Sequence, residues 1–154
     1  MAAYFLDSSA AVKRYIIEPG TSWIISLFRQ PTPNAFYVAR IISVEVVSAF
    51  ARRLRGRSLT VRQADKAKAR FRRDFRRLFF KIEIEALVVE KATDLADKHA
   101  LRGYDAVQLA AALTANDARL AIGATPLIFV SADTALNRAA LAEGLNAENP
   151  NLHP

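Results

Sequence analysis

An α/β fold with a largely parallel central sheet is the class this sequence predicts, and three observations carry it. Short apolar runs alternate with amphipathic helical stretches along the whole chain, as layered α/β folds require. Several of those runs end directly on an Asp or Ser of the kind that starts a helix. With 52% apolar residues among 154, the chain can bury one substantial core and has little material for a second domain.

The first run, Ala3 to Leu6, is a buried strand leading into Asp7-Ser8-Ser9 and a helix from Ala10 to Ile17, which Glu18-Pro19-Gly20 ends. Thr21 caps a second helix, Ser22 to Phe28, stopped by the Pro-rich segment 30–34. Ala35 to Ala39 is the next strand, followed by Ser43 as an N-cap and a helix over Val44 to Leu54 that closes at Gly56. From Ser58 to Phe80, small and aromatic apolar residues recur at three- and four-residue spacing, so one face packs and the other carries arginines. Ile82, Ile84 and Leu87 alternate with acids as a half-exposed strand, and Val88 to Ala100 follows as a helix. Asp105 to Ala118 is apolar around most of its circumference and therefore a central helix. Leu127 to Val130 is the last strong strand, running into Ser131-Ala132-Asp133 and a helix to Glu143; Gly144 stops it, and Leu145 to Glu148 adds an edge strand. The expected organisation is one domain over residues 1–148, with a basic helical arm at about 58–80, and a C-terminal tail over 149–154.

Composition removes several chemistries. Without cysteine there are no disulfides, no thiolate nucleophile and no Cys-ligated zinc, and the two histidines, His99 and His153, leave little for imidazole chemistry. Catalysis would have to come from carboxylates, hydroxyls or amines. No apolar run reaches the roughly 18 residues of a membrane span, and the N-terminus lacks the pattern of a signal peptide, so a cytoplasmic protein is expected. The net charge of +7 is concentrated: Arg52 to Lys81 holds thirteen Lys/Arg against two acids, a local +11, while the remainder has nine bases and thirteen acids, a local −4. Such an arm attracts polyanions with a strong salt dependence. It serves equally as a solvated helical face, and Arg72, Arg73, Arg76 and Arg77 are its candidate RNA contacts.

Asp7 and Asp133 fall just past strand ends, and Glu45 and Asp105 in first helical turns, on the edge of a parallel sheet where ligands bind. Each Asp alone reads as a helix cap and Glu45 alone as a dipole-favoured first-turn glutamate. Glu45, however, stands among Ile41, Ile42, Val44, Val46 and Val47, which implies burial with a counter-ion. Converging carboxylates repel unless a divalent cation joins them, and hard oxygen ligands suit Mg²⁺ or Mn²⁺, ions that assist phosphodiester hydrolysis by activating water. Ser9 and Ser131 lie close enough in sequence to orient a ligand or water. Trp23 with Phe28, and Tyr15 with Ile16, are expected as core or subunit-contact residues rather than base-stacking platforms, and His99 as a helix C-terminal histidine.

Four motifs, Tyr4-Phe5-Leu6-Asp7-Ser8-Ser9-Ala10-Ala11-Val12-Lys13, Ser43-Val44-Glu45, Tyr104-Asp105-Ala106-Val107-Gln108-Leu109-Ala110, and Phe129-Val130-Ser131-Ala132-Asp133 with Leu136-Asn137, together resemble the PIN-domain ribonucleases, specifically the VapC-like toxins of bacterial type II toxin–antitoxin pairs. The resemblance spans nearly the whole chain. It implies a three-layer α/β/α sandwich and an Mg²⁺- or Mn²⁺-dependent endoribonuclease acting on single-stranded RNA. Asp7, Glu45, Asp105 and Asp133 match its acids and Ser9 its hydroxyl position. It further implies a homodimer and a cognate antitoxin that blocks the site by inserting a segment near the carboxylates. The arginines from Arg70 to Arg77 are denser than the family requires. A haloacid-dehalogenase-type phosphatase would need an acid where Ser9 stands, and a response-regulator receiver an acidic pair after the first strand. A rival from another class is a catalytically silent PIN-like module that binds RNA or protein through the basic arm.

Overall fold

The computed structural model describes residues 1–153, so the end of the expected tail, residue 154, lies outside the described residues. Five strands, β1 (Ala3–Leu6), β2 (Ala35–Ala39), β3 (Phe80–Ile82), β4 (Ile128–Val130) and β5 (Asn146–Glu148), form one sheet in the order β3-β2-β1-β4-β5, with every pairing parallel. The chain builds outward from β1 through β2 to β3 and then returns to the other side of β1. The reversal point of the winding therefore lies between β1 and β4, which are registered Phe5 to Phe129 and Leu6 to Val130. Crevices at the carboxyl ends of strands beside such a reversal are the usual ligand sites of open α/β sheets.

Helices cover both faces, giving the expected three-layer sandwich. Side chains alternate across each strand: Phe5 and Phe129, stacked with centroids 5.9 Å apart, join α5 (Ala86–His99), α6 (Gly103–Ala121) and α7 (Thr134–Ala142) in one core layer. Leu6, Val38 and Val130 join α1 (Ser8–Val12), α2 (Thr21–Leu27), α3 (Ile42–Arg55) and α4 (Val61–Arg77) in the other. The small residues of α6, Ala106, Ala110, Ala111 and Ala112, are all buried, which lets this central helix lie close against the sheet and α5.

Several boundaries differ from expectation. The α3 helix begins at Ile42, with Ser43 inside it and its hydroxyl on the Arg40 carbonyl, because the chain already turns at Arg40 as it leaves β2. The basic helix starts at Thr60-Val61, where Thr60 and Gln63 form a reciprocal capping box, rather than at Ser58. The third strand is Phe80–Ile82, not the segment through Leu87: pairing with β2 ends at Ile82, and Leu87 belongs to α5. The first helix ends at Val12 and passes into turns.

Tyr15 is a core residue as expected, while Ile16, Trp23 and Phe28 are half-buried against the same core layer, and Trp23 stacks on His153 at 4.1 Å between centroids. This stacking, with Pro150 lying against Gly20, seats the C-terminal 3-10 turn (Pro150–Leu152) on α2 through Pro150 and His153, while Asn151 and Leu152 stay exposed. His99 ends α5 and bonds Glu143 through Nε2 at 2.6 Å. No helix is long and apolar enough to cross a membrane among the described residues.

Candidate acidic site at the sheet's carboxyl edge

Asp7 follows β1, and its amide continues the ladder by donating to the Val130 carbonyl at 3.1 Å. That placement buries it to 4% exposure at the β1/β4 reversal point. Its Oδ1 accepts from the Ser9 hydroxyl at 2.7 Å and the Ala10 amide at 2.8 Å, and its Oδ2 from the Ser131 hydroxyl at 2.7 Å. Burial pushes the carboxyl up to about 6; the bonds from Ser131, Ser9 and Ala10 oppose the rise, and the neighbouring Glu45 charge adds to it. Both expected orienting hydroxyls thus touch the first acid. Ser9 also accepts from the Ala132 amide at 2.8 Å and Ser131 from the Asp133 amide at 3.0 Å, tying α1 to the loop after β4.

Glu45, in the first turn of α3, is half-buried as its apolar neighbours implied, but the expected counter-ion is absent among the described residues. Neutral donors take its place: the Ser8 hydroxyl at 2.9 Å to Oε2 and the Gln108 side-chain amide at 2.6 Å to Oε1. Burial raises its pKa, those two bonds pull it down, and the Asp105 charge raises it further. Asp105, half-buried in the first turn of α6, is raised by burial and then by Asp133, with Arg102 opposing. Asp133 is exposed and caps α7, accepting from the Ala135 and Leu136 amides at 2.8 and 3.0 Å through Oδ1. The capping reading therefore holds for Asp7 and Asp133, alongside any other role; Asp105 is not a cap, since Arg102 takes that position in α6.

The acids form a sequence of charge neighbours, Asp7 with Glu45, Glu45 with Asp105, and Asp105 with Asp133. Among the described residues no three of them close into a ready cage for an ion. The hydrogen bonds explain the spacing: hydroxyls hold Asp7, Ser8 and Gln108 hold Glu45, and helix amides hold Asp133. The donor chemistry nevertheless fits a hard divalent cation. Every available ligand atom is oxygen, three carboxyls are raised by burial and mutual repulsion, and the buried Oε1 of Gln108 and Oδ1 of Asn137 lack hydrogen-bond donors among the described residues. A positive charge among the carboxyls would offset the repulsion that raises Asp7, Glu45 and Asp105.

Ser8, Gln108 and Asn137 stood within the motifs without a role. Asn137 bonds the Ser131 carbonyl at 2.8 Å and fixes the loop that carries Asp133. An open cleft of about 420 Å³ adjoins the acids between α1 and α3; Glu45 lines it, while Tyr104 and Ala132, lining it too, directly precede Asp105 and Asp133. Lys13, 4% exposed, lies on its wall and bonds Glu18 and the Pro19 carbonyl at 3.3 and 2.9 Å; burial lowers its pKa, and Arg53 lowers it further.

Of the expected arm arginines, Arg72, Arg76 and Arg77 are exposed, and Arg72 and Arg76 edge an apolar groove between α3 and α4. Arg73 is committed differently, donating to Asp74 Oδ1 from Nε and Nη2 at 3.1 and 3.0 Å. Asp74 is buried and also holds Arg14 Nε at 3.0 Å and the Tyr15 hydroxyl at 3.2 Å.

An all-parallel α/β sandwich with a row of carboxylates at its reversal point defines the class: an α/β protein with an acidic site at the sheet's carboxyl edge. The chain belongs to the PIN domain family, whose model matches residues 4–141. It is 34% identical over 122 residues to proteins named ribonuclease VapC45 and ribonuclease VapC49, from the CDC 1551 / Oshkosh and ATCC 25618 / H37Rv strains of Mycobacterium tuberculosis; the match covers 79% of this chain and 83% of each relative. Among solved structures, FitAcB from Neisseria gonorrhoeae superposes with a TM-score of 0.66 at 17% identity, covering 98% of this chain and 99% of that one. VapBC2 from Rickettsia felis, bound to a DNA fragment from its promoter, gives 0.62 at 15% identity, covering 96% and 98%. At these identities the structural likeness speaks for the fold.

Proposed function

We propose that this chain is a divalent-metal-dependent endoribonuclease of the VapC toxin type, neutralised by a cognate antitoxin. The carrying observation is the line of four acids at the β1/β4 reversal point, three of them with raised pKa values and none paired with a Lys or Arg among the described residues. The ribonuclease names of the mycobacterial relatives support an RNA substrate, and the solved VapBC2 and FitAcB assemblies support a protein partner. The metal ligands are Asp7, Glu45, Asp105 and Asp133, and the ion is Mg²⁺ or Mn²⁺. The proposal includes a homodimer and a cytoplasmic location.

The chain's own residues set up the reaction in three ways. Ser9 and Ser131 fix the Asp7 carboxylate through its two oxygens, so it needs no rotation to accept a positive charge. Ser8 and Gln108 hold Glu45 from both sides in the same manner. The amides of α7 bond one oxygen of Asp133, at an exposed position open to a phosphodiester. A bound divalent ion supplies a nucleophilic water at neutral pH and neutralises charge building on the phosphate. The basic arm adds long-range attraction for RNA or serves the antitoxin.

The test is incubation of purified protein with total cellular RNA plus Mn²⁺ or Mg²⁺, with new ends mapped and EDTA and Asp7→Asn as controls. Discrete ends that need both metal and Asp7 are expected. RNA left intact by the wild type, or cut equally by Asp7→Asn, contradicts the proposal and favours the silent binding module.

A further inference from the structure

Beyond the acids, the cleft between α1 and α3 changes character along its length. Glu45, Ser48 and Arg52 recur at three- and four-residue spacing and so form one stripe along α3, all lining the cleft. At 1.5 Å per residue the stripe carries the wall about 10 Å from an anionic to a cationic end. There Lys13, Arg52 and Arg53 line the cleft with a single carboxylate, Glu18, which Lys13 and Arg53 both contact. Arg52 is exposed and has no carboxylate within ion-pair distance among the described residues. The cationic end therefore holds more positive charge than the protein neutralises.

The anionic end has an unusual wall. Tyr104 is 57% exposed although it adjoins the half-buried Asp105, and Val44, 56% exposed, lines the same mouth beside Glu45. An aromatic ring left in solvent next to acids has no packing duty, but its face is free to stack on a base.

We propose that this cleft is the subsite that holds single-stranded RNA beside the bond to be cut, with Arg52 on a backbone phosphate and Tyr104 stacked on a base near the carboxylates. The assignment rests on reading the carboxylates as the nuclease centre. Guanidinium forks match phosphate oxygens, and stacking tolerates any base, so this cleft sets the strand's path with little sequence preference. A duplex keeps its bases paired and stacked, leaving none for Tyr104, so the subsite selects single strands. Tyr104 and Arg52 act as positioning residues.

The experiment compares wild type, Arg52→Gln, Tyr104→Ala and Tyr104→Phe for binding of a fluorescent single-stranded oligoribonucleotide in EDTA over a salt series, and for cleavage of the same oligonucleotide with Mn²⁺. Arg52→Gln is expected to weaken binding and flatten the salt slope by about one unit. Tyr104→Ala is expected to weaken binding about tenfold without changing the slope, and Tyr104→Phe to bind as wild type. In cleavage, the losses fall on KM rather than kcat. Unchanged unfolding curves show that the variants are folded. Wild-type affinity in both Arg52→Gln and Tyr104→Ala, or no binding by the wild type, overturns the subsite even where Mn²⁺-dependent cleavage is intact. Absent cleavage with the expected binding losses would instead overturn the nuclease reading and leave an RNA-binding cleft. Loss of affinity for an acidic peptide alone would give the cleft to a protein partner and also overturn the proposal.

Discussion

The Ser131 hydroxyl donates to Asp7 Oδ2 at 2.7 Å and accepts the Asp133 amide at 3.0 Å, so one side chain links the first and last acids. Ser131→Ala removes a bond that holds the Asp7 carboxyl down, so its pKa in the metal-free protein rises further, protons compete better with the metal, and at subsaturating Mn²⁺ the acid limb of the rate profile moves to higher pH. The lost bonds also cost about 1–3 kcal/mol of stability. Ser131→Thr, which keeps the hydroxyl, should restore the profile. A pH–rate series on the three proteins checks this; an acid limb unmoved in Ser131→Ala would contradict it.

Asp7 also makes stability pH-dependent in the metal-free protein. Its folded pKa of about 6 lies above the ordinary 3.8 of an unfolded aspartate. The penalty for burying its charge is complete above about pH 6, shrinks as the pH falls between those values and is gone below 3.8. Its size is about 3 kcal/mol, at about 1.4 kcal/mol for each pH unit between the two values. In EDTA, Asp7→Asn should therefore unfold at a higher temperature than wild type near pH 7.5, with the gap closing toward pH 4. Unfolding curves across that range check it, and a pH-independent gap would refute it.

The arm arginines should divide. Replacing Arg72, Arg76 and Arg77 by Gln lowers the salt slope of RNA binding by about one unit for each phosphate that no longer meets a guanidinium, and leaves the melting temperature near wild type. Arg73→Gln changes the slope less but costs roughly 1 kcal/mol, because buried Asp74 loses a donor pair. Salt-dependent binding and thermal unfolding of both variants separate the two effects. Identical behaviour would show that the Arg73–Asp74 pair has no structural weight.

Gly20 carries φ +83 and faces the Pro150 carbonyl where a Cβ would stand. Gly20→Ala should cost about 2 kcal/mol and lift the C-terminal turn from α2. Trp23 is the only tryptophan and stacks on His153, so its fluorescence reports that release directly. An unchanged emission spectrum would mean that the turn tolerates the side chain.

What was legible in the sequence is what local pattern determines. Asp7 and Asp133 were placed because an apolar run followed by Asp and Ser marks a strand end, and the basic helix because its apolar spacing survives among eight cations. Contacts between distant residues were not legible: Glu45 was expected to find a cation, yet meets Ser8 and Gln108, 37 and 63 residues away. Likewise nothing in the sequence around Asp74 shows that packing of α4 brings it to Arg14 and Tyr15, 60 and 59 residues away, and buries it. The Thr60–Gln63 capping box was present in the letters and sets the start of α4 more sharply than apolar spacing does.

The measurement closest to the central claim is thermal unfolding with and without Mn²⁺, comparing wild type with Asp7→Asn/Asp105→Asn at neutral pH. Binding at a hundredfold excess over Kd should raise the wild-type Tm by roughly 5–10 °C. The double variant should show no shift, since the charges that repel one another in the metal-free site are gone. Equal shifts in both proteins, or none in the wild type, would contradict a divalent-cation site built from these carboxylates.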